Sequence, residues 1–429
     1  MTIVPETWSL REVRPSGWTF RREVYIQDAG PEVTGRAGGN RNGDPMQPFT
    51  LNVPQRVLDD LNERLARTRW PDQVEGAGWD YGTELTWLRG LVEYWLTRFD
   101  WREQERRINA LPQFRARIED LDIHFVHVAG KGPAPMPLVL THGWPSTFFE
   151  MHRIIGPLAD PAAHGGDPED AFHVVVPSLP GFGLSGRPLR RGPVRVDVIW
   201  RSLMTEALGY RRFGAHGSDV GARVTSALGR FHGDVVVGIH IGSVDLEWPE
   251  PLPPDAELSD RERDYIARVR RWEKTEGAYA ECQATRPQTL AYGLTDSPAG
   301  LAAWIVEKFR AWSDCGGDIE SRFTKDELLT TITLYWVTET INASMRRYYE
   351  KRHDPAPRPL PPGERIESPA GFAMFPGEKD LIVPPEWAER CYNIRYWKNL
   401  PRGGHFAALE EPDLLVNEIR SFFRLLRPF

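Results

Sequence analysis

Phe213-Gly214-Ala215-His216-Gly217-Ser218-Asp219-Val220-Gly221-Ala222 is the stretch on which the reading of this chain turns. A short turn-like segment enters it, a helical pattern leaves it, and a carboxylate sits at the turn. When a strand turns sharply into a helix, the middle residue is forced out of the backbone. The residues two before and two after it must then be small, because strand and helix nearly touch there. Gly217 and Gly221 meet that demand, and Asp219 occupies the exposed corner. A carboxylate is already ionised at neutral pH and attacks without a base to activate it, which suits alkyl carbons better than amides. Gly-x-Asp-x-Gly also describes an ordinary surface turn, so the catalytic reading depends on what the rest of the chain supplies.

Composition narrows the class. The 429 residues suffice for two or three domains, or for one large core with insertions. Hydrophobic residues at 41% and charged residues at 26% exclude a disordered or fibrous chain. A formal charge of -7, with no long basic run, argues against nucleic-acid binding and leaves small-molecule chemistry. Cys282, Cys315 and Cys391 are scattered and odd in number, so no disulfide framework is expected and a reducing cytoplasm is the simplest setting. Between Met1 and Gln27 the apolar residues are broken by Glu6, Arg11, Glu12, Arg14, Arg21, Arg22 and Glu23. Neither a signal-peptide core nor a membrane span is expected there.

Outward from the elbow, the pattern alternates. Residues 28–48 are rich in Gly and Pro and read as a flexible link. A short strand is expected at Phe49–Val53, then helices with apolar faces at Val57, Leu58, Leu61 and Leu65, and at Leu85, Leu88, Leu91, Val92 and Trp95. These faces exceed what the helices could bury by themselves. Strand patterns follow at 123–128, 137–140, 172–176 and 235–241, with helical ones at 148–158, 196–208 and 222–231 between them. That alternation predicts a doubly wound, mostly parallel sheet. His124 and His127 fall on opposite faces of one strand, which argues against a metal site. From about Trp248 to Pro362 the pattern is helical, and it predicts an insertion over the C-terminal edge of the sheet, where open α/β folds bind ligands. Strands return at 371–375 and 393–397, and a helix closes the chain at 412–426.

HGWP at 142–145, PGFGLS at 180–185, GSDVG at 217–221, FPGEKD at 375–380 and RGGHFAALEEP at 402–412 stand in the order nucleophile, acid, histidine. With these motifs the chain resembles the epoxide hydrolases of the microsomal type, from about Pro48 to the C-terminus. The resemblance implies an α/β-hydrolase fold with a mostly parallel sheet, helices on both of its faces, a helical cap and an N-terminal helical meander. The expected divisions are an extension at 1–47, partly flexible, a meander at 48–117, core at 118–247, cap at 248–362 and core again at 363–429. No counterpart of the microsomal membrane anchor is expected.

By the same resemblance, Asp219 attacks an epoxide carbon and becomes an ester. Two cap tyrosines, Tyr279 and Tyr348, protonate the ring oxygen, a role open to a phenol of pKa about 10. Tyr349 is adjacent to the second position and stays in contention. His405 activates the water that cleaves the ester, oriented by an acid. Counting back from Pro384-Pro385 favours Asp380 as that acid, and counting forward from Phe375 favours its rival Glu378; Asp380 is preferred. Backbone N–H groups of Trp144 and Val220 form the oxyanion hole, while His142 and His216 read as structural. The expected product is a vicinal diol, in detoxification or secondary metabolism, without cofactor or metal. The partner is a small-molecule epoxide, with no nucleic acid and no membrane, and a homodimer is compatible with this reading. A haloalkane dehalogenase shares the Asp nucleophile but normally follows it with a halide-binding tryptophan, where this chain has Val220. A non-catalytic ligand-binding protein of the same fold is the alternative from another class.

Overall fold

The computed structural model describes residues 46–242, 252–254, 257–354, 359–378 and 380–427. The extension expected at 1–47 lies, up to residue 45, outside the described residues, as do residues 243–251 where the cap was expected to begin. Nine strands form one sheet: β1 (Gln47–Phe49), β2 (Gln113–Ile118), β3 (Leu121–Val128), β4 (Met136–Thr141), β5 (Phe172–Pro177), β6 (Phe213–Gly217), β7 (Val236–Ile241), β8 (Ile366–Met374) and β9 (Tyr392–Asn399). Their order is β1-β2-β3-β5-β4-β6-β7-β8-β9. The six strands from β5 to β9 in that order run parallel, and β1 to β3 add an antiparallel edge. β4, β6 and β7 are buried along their whole length, as their unbroken apolar or small-residue runs require in a sheet covered on both faces.

Glycines show how close that cover lies. A methyl added at Gly214, Gly238 or Gly371 would strike Phe422 or Phe423, on the helix Pro412–Arg424. Gly229 of the helix Val220–Phe231 packs against Ile239, which points the other way from Gly238 along β7. One helix therefore covers each face at the centre of the sheet.

Strand β2 was not legible from periodicity. Its Arg115 and Arg117 break the apolar pattern, and Arg115 lies 4.2 Å over the ring of Phe49 instead of reaching solvent freely. The strand expected at 49–53 lies instead at Gln47–Phe49, inside the end of the expected link, and meets the expectation only at Phe49; Leu51 and Val53 give their N–H groups to Asn109 and Glu105 of the helix Trp101–Asn109.

Between β7 and β8 lie the helices Asp260–Thr275, Ala278–Thr285, Pro287–Asp296, Pro298–Trp312, Lys325–Thr338 and Ile341–His353. The helices Gln55–Ala66 and Leu85–Thr97 pack on this layer, through Arg64 to Asp296 and Tyr94 to Asp326, and Thr83, just before the second helix, donates to the Ala303 carbonyl. Their excess apolar faces are thus buried against the cap, not only on each other.

Candidate active site

β6 ends at Gly217, and the next helix begins with Val220, directly after Asp219. Asp219 holds φ 53° and ψ -124°, a backbone conformation that strains any residue with a Cβ. The surroundings enforce it. A methyl on Gly217 would meet the carbonyl of Gly221, and one on Gly221 would meet the carbonyl of Thr141, so three backbones touch at the turn. The Trp144 N–H donates to Asp219 Oδ1 at 2.9 Å, which places one of the two expected oxyanion donors on the carboxylate. Val220 sits at the first helical position beyond it.

His405 arrives from the loop after β9 and stands behind the nucleophile. Its Nε2 is 3.8 Å from Asp219 Oδ2, and its Nδ1 is 2.6 Å from Glu378 Oε1. The preference for Asp380 is therefore corrected. Glu378 ends a short 3-10 turn, Pro376–Glu378, that aims its carboxylate inward, whereas Asp380 pairs with Arg271 of the cap at 3.0 Å. Asp380 still borders the cavity at its rim. Burial of the imidazole opposes its charge, but Glu378 beside it, with Asp219 and Glu150 nearby, outweighs burial and holds its pKa up at about 9. The ring carries a proton at neutral pH.

The cap supplies the opposite wall. Tyr279 stacks on Trp144 with centroids 5.1 Å apart, and Tyr348 lies 6.0 Å from both rings. Tyr349 instead stacks on His353, so of the two neighbours it is Tyr348 that joins the cluster. The Lys308 ammonium lies 5.0 Å over the Tyr279 ring and 3.5 Å from Glu276. A cavity of about 210 Å³ opens between these walls, bordered by Asp219, Tyr279, Trp312, Glu378 and His405.

His142 does not serve as a base. Burial pulls its pKa down to about 4, its Nδ1 lies 3.0 Å from the Gly143 carbonyl, and its Nε2 accepts from Leu179 N–H. His216 is likewise buried, its pKa near 4, with Nδ1 2.9 Å from that of His240. Both fit a structural role.

Sequence reading passed over two residues here. Trp312 closes the cap helix Pro298–Trp312, packs 4.9 Å from the His405 ring, and accepts the His405 backbone N–H. No local signal joins positions 93 residues apart. Glu150 had a faint one, a lone acid in the apolar run Phe148-Phe149-Glu150-Met151.

The fold and the site define a capped α/β-hydrolase with a carboxylate at the elbow. A model of the alpha/beta hydrolase family matches residues 138–418, and a model described as epoxide hydrolase N terminus matches residues 46–151. A protein of Stigmatella aurantiaca assigned as an epoxide hydrolase is 44% identical over 383 residues, covering 89% of this chain and 85% of that one. Epoxide hydrolase 1 of Sus scrofa is 35% identical, with 89% of each chain covered. The structure of Aspergillus niger epoxide hydrolase superposes with a TM-score of 0.76 at 30% identity, covering 91% of this chain and 100% of that one. The chain belongs to the epoxide hydrolase family of α/β-hydrolases.

Among the described residues no helix is long and apolar enough to cross a membrane.

Proposed function

We infer that this protein converts an epoxide to a vicinal diol through an ester on Asp219. The observation that carries the reading is His405, held between Glu378 on one nitrogen and Asp219 on the other, with Tyr279 bordering the same cavity and the Tyr348 ring 6.0 Å from that of Tyr279.

The Asp219 carboxylate attacks one epoxide carbon, the C–O bond to that carbon breaks, and the oxygen takes a proton from a phenol opposite. A pair of phenols gives two donors, so the charge that develops on the oxygen is shared. The proton on His405 restores the phenol, leaving a neutral imidazole. Esterification has meanwhile removed the Asp219 charge that helped to hold that proton. The neutral ring then takes a proton from water as its oxygen adds to the ester carbonyl, with the Trp144 N–H and that of Val220 facing the oxyanion. Collapse expels the alkoxide, which takes the proton of the newly formed Asp219 carboxyl and leaves as the diol, so Asp219 ends ionised and His405 protonated. Glu378 keeps the ring oriented and stabilises its charged form.

A single turnover in ¹⁸O-labelled water tests the route. Label is expected in Asp219 and absent from the first diol, then present in diol on the next turnover. Label in the first diol would reject the ester. Asp219→Ala is expected to lower turnover by at least about 10⁴-fold, the scale seen when a covalent nucleophile is removed.

A further inference from the structure

The N–H of Trp144 belongs to a peptide unit that is held at both ends. A peptide is planar, so this N–H and the carbonyl of Gly143 turn as one body and point in opposite directions. At one end the N–H donates to Asp219 Oδ1 at 2.9 Å. At the other, the Gly143 carbonyl oxygen lies 3.0 Å from His142 Nδ1. The His142 ring is itself fixed: it is fully buried, the Phe182 ring packs across it with centroids 5.4 Å apart, and its Nε2 lies 3.1 Å from the backbone nitrogen of Leu179. A backbone N–H can only donate, so Nε2 accepts. Burial keeps the ring neutral, and its single proton therefore sits on Nδ1 and points at the Gly143 carbonyl. One chain of donors runs from Leu179 through the imidazole and the peptide to the nucleophile.

We propose that His142 is a positioning residue for ester hydrolysis: through the Gly143–Trp144 peptide it aims and polarises the N–H that stabilises the oxyanion on Asp219. Donation to a peptide carbonyl draws electrons toward its oxygen and leaves the N–H across the plane a stronger donor. Gly143 makes the alignment tight, because a methyl there would strike the Asp219 side chain, so the peptide lies directly against the carboxylate. Neighbouring groups serve other atoms: the Tyr335 hydroxyl donates to the Ser146 carbonyl, and the Thr141 hydroxyl accepts from the Trp200 indole.

The two half-reactions respond to this donor in opposite senses. While the epoxide opens, the Asp219 carboxylate gives up charge, and a strong donor holds that charge back. While the ester is hydrolysed, the oxygen facing Trp144 gains charge, and a strong donor helps. Weakening the donor therefore slows the second step and spares the first, whereas a general loosening of the site slows both.

The inference rests on the aspartyl-ester reading, and the test separates the two. Rapid-quench mass spectrometry of intact protein follows ester formation and decay at pH 7 in the parent, His142→Gln and His142→Asn. The asparagine amide nitrogen falls where Nδ1 stands and can still donate to Gly143; the glutamine amide falls where Nε2 stands and can serve only Leu179. In His142→Gln, ester formation is expected at or above the parental rate while ester decay slows about tenfold, less than the 10²–10³-fold cost of an oxyanion donor removed outright. In His142→Asn, decay stays within about threefold of the parent. Equal slowing of both steps in His142→Gln, or a decay as slow in His142→Asn as in His142→Gln, overturns the role of His142 and leaves the ester standing. A parent that never shows the ester overturns the Asp219 reading, and this inference with it. Should neither variant fold, ¹⁵N NMR of the histidine-labelled parent decides: a neutral His142 ring protonated at Nδ1 is expected, and a proton on Nε2 overturns the inference.

Discussion

Glu378 and Asp380 are two positions apart, both border the cavity, and one of them reaches the imidazole. The distinction is made by the turn at 376–378, which points one acid inward, and by Arg271, which draws the other outward to a pair more than half exposed on the arginine side. Glu378→Gln is expected to lower kcat by about 10²–10⁴-fold, because the neutral amide neither orients nor stabilises the imidazolium. Asp380→Asn is expected to change it by less than about fivefold, since an exposed ion pair contributes about 1 kcal/mol or less. Steady-state kinetics on the two variants decide the matter. Equal losses would return Asp380 to the mechanism.

The elbow does at the level of an element what no single residue does. It holds Asp219 at positive φ by bringing strand, turn and helix into backbone contact. Gly221→Ala has nowhere to place its methyl except in the Thr141 carbonyl, and backbone cannot yield as a flexible side chain does. The substitution is expected to destabilise the fold by about 3 kcal/mol or more, read as a lowered melting temperature and low soluble yield. A variant that melts with the parent would show that the contact relaxes freely. The cap helix Asp260–Thr275 makes a comparable grip on the acid loop: Arg268 donates to the carbonyls of Asp380 and Ile382.

Across the whole molecule the cap is stitched to the histidine loop. His405 N–H donates to Trp312, Gly403 N–H to the Asp314 carboxylate, and Glu410 accepts from both Asp314 and Phe406. The base and the cavity wall are therefore tied to each other through backbone. The same close packing buries histidines in neutral form. His127, His142 and His216 have pKa values near 4, and His124 and His240 lie well below the usual value, all chiefly through burial. Each binds a proton more weakly folded than unfolded, so each loses stability as pH falls from about 6.5 through its folded value, and for the three near 4 that loss is on the order of 3 kcal/mol apiece. Burial raises Glu150 and Glu410 to about 7, and these two gain stability as pH falls over much of that window. Five histidines outweigh two glutamates. The melting temperature is expected to fall steadily from pH 6.5 to pH 4, and a flat or rising profile would contradict the neutral-histidine account. His405 works on the other side: raised to about 9, its contribution is complete below about 6.5 and is lost as pH rises through 9.

The five motifs and the spacing of apolar runs determined the α/β order, the elbow, and the identity of its aspartate, because each depends on neighbours within a few positions. The strand ends at β1 and all of β2 escaped that reading. Arginines obscured the alternation in β2, and Asn109 and Glu105 took the N–H groups that would have extended β1. The choice between Glu378 and Asp380, the choice between Tyr348 and Tyr349, and the presence of Glu150 and Trp312 beside His405 were decided only in three dimensions. Adjacent residues on a turn or helix point in different directions, and which of them meets a group many positions away depends on how the cap and the sheet pack together.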